Sequence, residues 1–226
     1  MNYPNETQRL SIVGRTGSGK TYAAGWHLSR ANFDTMPWIV YDFKRDSLLA
    51  EIANLEGAEH IDLDEVPTKP GIYFVHPMPD DHEAVQAQMW RIWRNENTGV
   101  YIDEGYMVCG PPVINRPFRT LLTQGRSKHV PMIILSQRPC WLDRFVFTES
   151  DFYQVFALNH KGDRAKMMEY IPADLSHPLP QYSSYYHDVS AAETVVMKPV
   201  PDFDTILQTF DSRLQAMRKR KVRVLI

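Results

Sequence analysis

Residues Gly14-Arg15-Thr16-Gly17-Ser18-Gly19-Lys20-Thr21 decide the reading of this chain. They fill every fixed position of GxxxxGK[ST], and their flanks are those the motif requires. Leu10 to Val13 is a short apolar run that predicts a strand, and Lys20 to Arg30 (KTYAAGWHLSR) has the apolar spacing of a helix. The glycines let the backbone curl until its N–H groups converge on phosphate oxygens, and the helix N-terminus adds partial positive charge. Lys20 then supplies a point charge for the β and γ phosphates of ATP, and the Thr21 hydroxyl a ligand for Mg²⁺. All eight residues are expected to bind nucleotide. A glycine-rich turn without function is the bland alternative, and the full match between strand and helix speaks against it.

Such a site needs a carboxylate at the end of another strand, and Gly99-Val-Tyr-Ile-Asp103-Glu104 offers two. Asp103 is expected to hold Mg²⁺, and Glu104 to orient and deprotonate the attacking water. Small GTPases carry DxxG at this place, whereas position 106 here is Tyr. A third run, Pro131-Met-Ile-Ile-Leu-Ser136-Gln137, is apolar and then turns polar, which puts Gln137 at the carboxyl edge of a sheet, where ligands bind in open α/β folds. Its amide suits the γ-phosphate or the lytic water. Upstream lies the basic loop Gly125-Arg126-Ser127-Lys128-His129. Arg126 there is a candidate finger for a neighbouring subunit's nucleotide, with Arg138 and Arg119 as rivals and an ordinary solvated arginine as the alternative.

Further strands are predicted at Trp38 to Asp42, Ile72 to Val75, Val100 to Ile102, Met132 to Ser136 and Tyr153 to Leu158. Helical patterns lie between them at Asp46 to Leu55, Asp80 to Trp93, Ile114 to Gln124 and Asp163 to Tyr170. Strands alternating with helices predict an α/β fold, a mainly parallel sheet covered on both faces. From Pro178 the chain changes character. Tyr182 to His187 and Thr194 to Val200 predict a β-hairpin outside the main sheet, and a last helix runs from Asp202 or Asp204 to Met217. The expectation is one domain over 1–226, with a core over about 9–171 and a C-terminal hairpin and basic helix over about 178–226.

Composition narrows the class. The 226 residues are 43% hydrophobic and 23% charged, with 11 glycines and 16 prolines, which excludes collagenous and disordered chains. Two cysteines, Cys109 and Cys140, without CxxC spacing, speak against a disulfide scaffold or a structural zinc site. No run of about 18 apolar residues offers a membrane span, and MNYPNETQRL lacks the pattern of a signal peptide, so a cytoplasmic protein is expected. The net charge of -2 advertises no basic field for nucleic acid. The charge is nevertheless segregated: Arg213, Arg218, Lys219, Arg220, Lys221 and Arg223 follow one another with no acidic residue between 213 and 223. Such a tail is either a solvated helix end or a nucleic-acid contact.

The order GRTGSGKT, VYIDE, GRSKHVPMIILSQRP resembles the FtsK/HerA superfamily of P-loop ATPases, above all its short viral members that package genomes. Trp38-Ile-Val-Tyr-Asp42-Phe-Lys44 is also similar to that family's second strand, which commonly ends in Asp-x-Lys. The resemblance implies a RecA-like (ASCE) core, ATP and Mg²⁺ as cofactors, Gln137 as sensor and Arg126 as the finger acting in trans. It further implies a homo-oligomeric ring, hexameric in the family, that moves double-stranded DNA, with capsid or vertex proteins as further partners. The location it implies is the host cytoplasm, or the virion where the ATPase stays with the capsid. Few residues precede the first strand, so the N-terminal modules of the larger translocases are expected to be missing. Two other jobs stay open: a morphogenesis or export ATPase acting on a protein complex, and a nucleotide-gated binding module. Glu104 argues against the last, which has no use for a water-activating carboxylate.

Several other residues read as structural. Asn159-His-Lys161-Gly-Asp163 has one residue too many for the guanine-reading NKxD. Trp90 and Trp93 read as core or subunit-contact aromatics, and His160 and His187 as surface residues.

Overall fold

A computed structural model describes residues 2–110, 115–177 and 179–224, the last four by backbone only. The predicted starts at Ile114 and Pro178, and the side chains of Lys221 and Arg223, lie outside the described residues.

Seven strands run parallel: β1 (Arg9–Val13), β2 (Pro37–Tyr41), β3 (Ala58–His60), β4 (Gly71–Val75), β5 (Gly99–Ile102), β6 (Met132–Ser136) and β7 (Phe152–Val155). Two more, β8 (Ser184–Asp188) and β9 (Glu193–Met197), continue the same sheet antiparallel, and the spatial order is β3-β4-β2-β5-β6-β1-β7-β8-β9. The inner strands are buried on both faces, which is why they read as unbroken apolar runs. Side chains still alternate. Ile39 and Tyr41 meet α3 (His82–Asn95), α5 (Arg116–Gln124), α6 (Arg144–Thr148) and α7 (Lys161–Met168) through Met89, Phe118, Phe147 and Met167. Trp38 and Val40 point the other way, to α1 (Lys20–Ser29), α2 (Ser47–Ala53) and α8 (Phe203–Val224). A short helix α4 (Gly105–Cys109) follows β5.

Two expectations change. The hairpin is not outside the main sheet: β8 pairs with β7 from Phe152↔Asp188 to Val155↔Tyr185. Without it β7 would present an open row of backbone donors and acceptors. Tyr186 is buried and stacks on Phe152 at 5.7 Å, so one aromatic face anchors the seam although SYYHD looks polar. The last helix does not stop at Met217 but continues to Val224. Ile206, Phe210 and Leu214 anchor it at 0–1% exposure, roughly 5 kcal/mol of burial as an upper estimate. Arg213 is held within the chain: it donates to the carbonyls of Ser29 and Ala31 and to Asp34. Arg218 pairs with Glu56 and Arg220 lies 4.0 Å from Asp34, but both stay exposed, as does Lys219. The tail is thus a helix docked through Leu214, with an exposed basic end.

Other readings shift as well. Trp90 is exposed and packs edge-on against half-buried Trp93, so neither belongs to the fully buried core. His160 is exposed, but His187 is buried and bonded to Thr194 at 2.8 Å. Short β3, α4 and α6 carry too little pattern to be read from sequence.

A buried polar relay ties α1 to the hairpin. Gln154 donates to Ser184 Oγ at 2.9 Å, which leaves its Oε1 to accept from His27 Nε2 at 2.9 Å. Burial pulls the His27 pKa from 6.5 down to about 4. The unfolded chain therefore binds the proton first, and stability present above pH 6.5 is lost as pH falls towards 4. The expected loss is about 3 kcal/mol. Denaturant titrations across this window should show it in the wild type and a flatter profile in His27→Gln. Parallel profiles would refute the assignment.

Candidate active site at the sheet edge

Strand order assembles the site. Because β6 lies between β1 and β5, Gln137 at its end sits between the loop after β1 and the carboxylates after β5. The loop is pinned by Gly14 N–H to the Ser136 carbonyl (3.2 Å) and Arg15 N–H to the Ala157 carbonyl (2.9 Å). Gly17 (φ 72°) and Gly19 (φ 96°) occupy the left-handed region that side chains avoid, which turns the loop back into the first turn of α1. Ser18 and Lys20 are buried, Thr21 is half-buried, and Arg15, Thr16 and Gly17 stay exposed. The eight predicted binding residues thus form one contiguous cradle. All but Gly14 and Arg15 line a cavity of about 620 Å³, together with Lys44 and Gln137.

Across the edge stand Asp103 and Glu104, 1% and 0% exposed. Asp103 Oδ2 is buried without a hydrogen-bond partner. Burial pushes the Asp103 pKa up to about 6, against the pull of Lys44 and Lys20. Burial also lowers the pKa of both lysines, while Asp103 raises it. Glu104 is fully engaged. Its Oε1 accepts the Gln137 backbone N–H at 3.0 Å, and its Oε2 accepts Gln137 Nε2 at 3.2 Å and pairs with Lys44 Nζ. Gln137 Oε1 in turn accepts from Thr16 Oγ1, so this one amide links the phosphate loop to Glu104. Lys44 comes from the end of β2, where Asp42 accepts the Asp46 N–H at 3.2 Å and shapes the turn into α2. Asp42-Phe43-Lys44 was the signal for that lysine, but nothing in the sequence paired it with Glu104.

Asp103 suits a divalent cation: its spare oxygen finds no partner among the described residues. Among the described residues no group of three or more His, Cys, Asp or Glu is placed to cage a metal. Mg²⁺ asks for less, one or two protein oxygens beside substrate phosphates, and Thr21 and Asp103 fit that requirement.

The arginines separate by sheet edge. Arg126 lies in the turn before β6, at the opposite edge from its own phosphate loop, about 17 Å of strand away. It is exposed and pairs with Asp151, which also accepts the Arg9 N–H at 2.9 Å. It therefore belongs to no part of this chain's own phosphate site. Arg138 is at the nucleotide edge, bonded to Asp163 at 2.9 Å and stacked 4.4 Å over Trp141. Arg119 pairs with Asp143. Asp163 also accepts the Cys140 N–H at 3.1 Å and Asn159 accepts from Arg15 at 3.2 Å, so the NKxD-like stretch is structural.

No family model matches the chain. Comparison with known proteins finds the DNA packaging ATPase P9 of Enterobacteria phage PRD1, 46% identical over 219 residues that cover 92% of this chain and 94% of that one. Among solved structures, the genome packaging NTPase B204 of Sulfolobus turreted icosahedral virus 2, in complex with sulfate, matches with TM-score 0.71 at 20% identity, over 88% of this chain and 100% of that chain. ATPases 2 and 3 of Thermomonospora curvata EccC match with TM-score 0.60 at 13% identity, over 87% of this chain and 37% of that chain. The two structures share the fold; the sequence likeness to P9, together with the phosphate cradle and the buried carboxylate pair, shows that this chain belongs to the family of phage DNA packaging ATPases.

Proposed function

We propose that this packaging ATPase hydrolyses ATP to drive double-stranded DNA into a capsid, working as a single motor domain in a homo-oligomeric ring. The observation that carries the reading is Glu104, a fully buried carboxylate held by Gln137 and Lys44, two residues that line the cavity at the phosphate cradle. A module that only binds nucleotide has no need of it.

In this reading the backbone N–H groups of the loop and the Lys20 ammonium hold the triphosphate. Thr21 and Asp103 hold Mg²⁺, which neutralises phosphate charge when bound. Glu104 accepts a proton from the attacking water once the γ-phosphate draws Lys44 and the Gln137 amide towards itself. Thr16, bonded to that same amide, transmits the change to the loop. Arg126 suits a finger acting in trans, since its place at the far edge keeps it from its own nucleotide. Capsid or vertex proteins are the expected docking partners, and the host cytoplasm or the virion the place of action. Among the described residues no helix is long and apolar enough to cross a membrane. Export of a protein substrate has only the shared fold in its favour.

The test is phosphate release with and without double-stranded DNA. Hydrolysis should rise severalfold with DNA, and the gain should fade as salt is raised, because contacts to the phosphate backbone release counterions. Hydrolysis indifferent to DNA at low salt would end the translocase reading.

A further inference from the structure

The cavity at the phosphate cradle continues past Thr21 to a second wall that the sheet edge does not supply. Tyr22, Phe156, Tyr182 and the link Lys198–Asp202 line it there. Tyr182 is 49% exposed and has φ 62°, the left-handed region that costs a non-glycine residue about 1–2 kcal/mol. A large aromatic ring held half in water on a strained backbone is not there for the core. It lies over the loop: a Cβ on Gly19 would sit 3.2 Å from Tyr182 Cδ1 and 3.7 Å from Phe156 Cε1.

The facing wall is Lys198-Pro199-Val200-Pro201-Asp202, which joins β9 to α8. Its two prolines have fixed φ and no N–H, so the link sets two apolar rings beside the Lys198 ammonium, and Asp202 caps α8 by accepting the Thr205 N–H at 2.9 Å. A lining of aromatic and proline rings next to a triphosphate cradle fits a heteroaromatic base.

The geometry points to a nucleobase subsite built by Tyr182 and the Pro199–Pro201 link. The inference rests on the reading of Gly14–Thr21 as the triphosphate cradle. It makes the hairpin and α8, which look like an appendage, part of the ATP site.

Competition binding against a fluorescent ATP analogue tests it, with ATP, GTP and inorganic tripolyphosphate as competitors. Tyr182→Ala should weaken ATP about tenfold, the usual scale for losing one base-aromatic stack, and leave tripolyphosphate unchanged. Tyr182→Phe should keep wild-type affinity for ATP, and Tyr182→Ala should weaken GTP together with ATP. Unchanged ATP affinity in Tyr182→Ala, or an equal loss for ATP and tripolyphosphate, would overturn the subsite. If wild-type protein binds neither ATP nor tripolyphosphate, the cradle reading falls and the subsite with it.

Discussion

Lys20→Ala should cut ATP turnover by about a thousandfold, the scale seen when one preorganised charge or donor at a transition state is removed. The size of the effect follows from burial. Lys20 is 6% exposed at the first turn of α1, and burial lowers its pKa while nearby Asp103 holds it charged. In such a site a positive charge acts on phosphate oxygens through little water, so its interaction is several times stronger than at the surface. Both binding and chemistry should suffer, because the proposed role sets the ammonium against the triphosphate in the ground state and in the transition state. Phosphate release and binding of an ATP analogue measure the two, and a thermal melt checks that the cradle still folds. A variant that turns over within tenfold of wild type would exclude Lys20 from the site.

Glu104→Gln should separate the two steps. Loss of a general base costs about 10²–10⁴ in rate, while the amide has almost the same shape and leaves the phosphate cradle intact. The expected result is ATP binding near wild-type strength with turnover lost. Since Glu104 also anchors Lys44, a structural role has to be told apart from a catalytic one. The single variant Lys44→Met does so, by removing the ammonium and leaving the carboxylate: it should keep clearly more turnover than Glu104→Gln. Equal losses in the two single variants would mean that Glu104 serves only to hold Lys44.

Much of the site was legible because its signals are local. The phosphate loop needs glycines at Gly17 and Gly19 to reach positive φ, a lysine at the helix start and a hydroxyl after it, all within eight residues. Asp103, Glu104 and Gln137 were legible for a related reason: each directly follows a buried strand, and a buried strand is an unbroken apolar run. The hairpin was misplaced because the residues that bury it, such as Tyr186 against Phe152, are far apart in sequence and set among polar neighbours. Arg213 and Arg218 of the basic tail likewise met their partners only when Asp34 and Glu56, more than 160 residues away, came alongside.

Read alone, the sequence determined the class of fold, the glycine-rich loop and the place of the two buried carboxylates after β5, since these follow from periodicity and from backbone requirements within a few residues. Only the tertiary structure decided what those groups touch. Strand order put Gln137 between Thr16 and Glu104, brought Lys44 from β2 onto the carboxylate, sent Arg126 to the far edge and carried Tyr182 over Gly19. Those contacts join residues 33 to 163 positions apart, and no local pattern encodes a partner that the chain reaches only by folding.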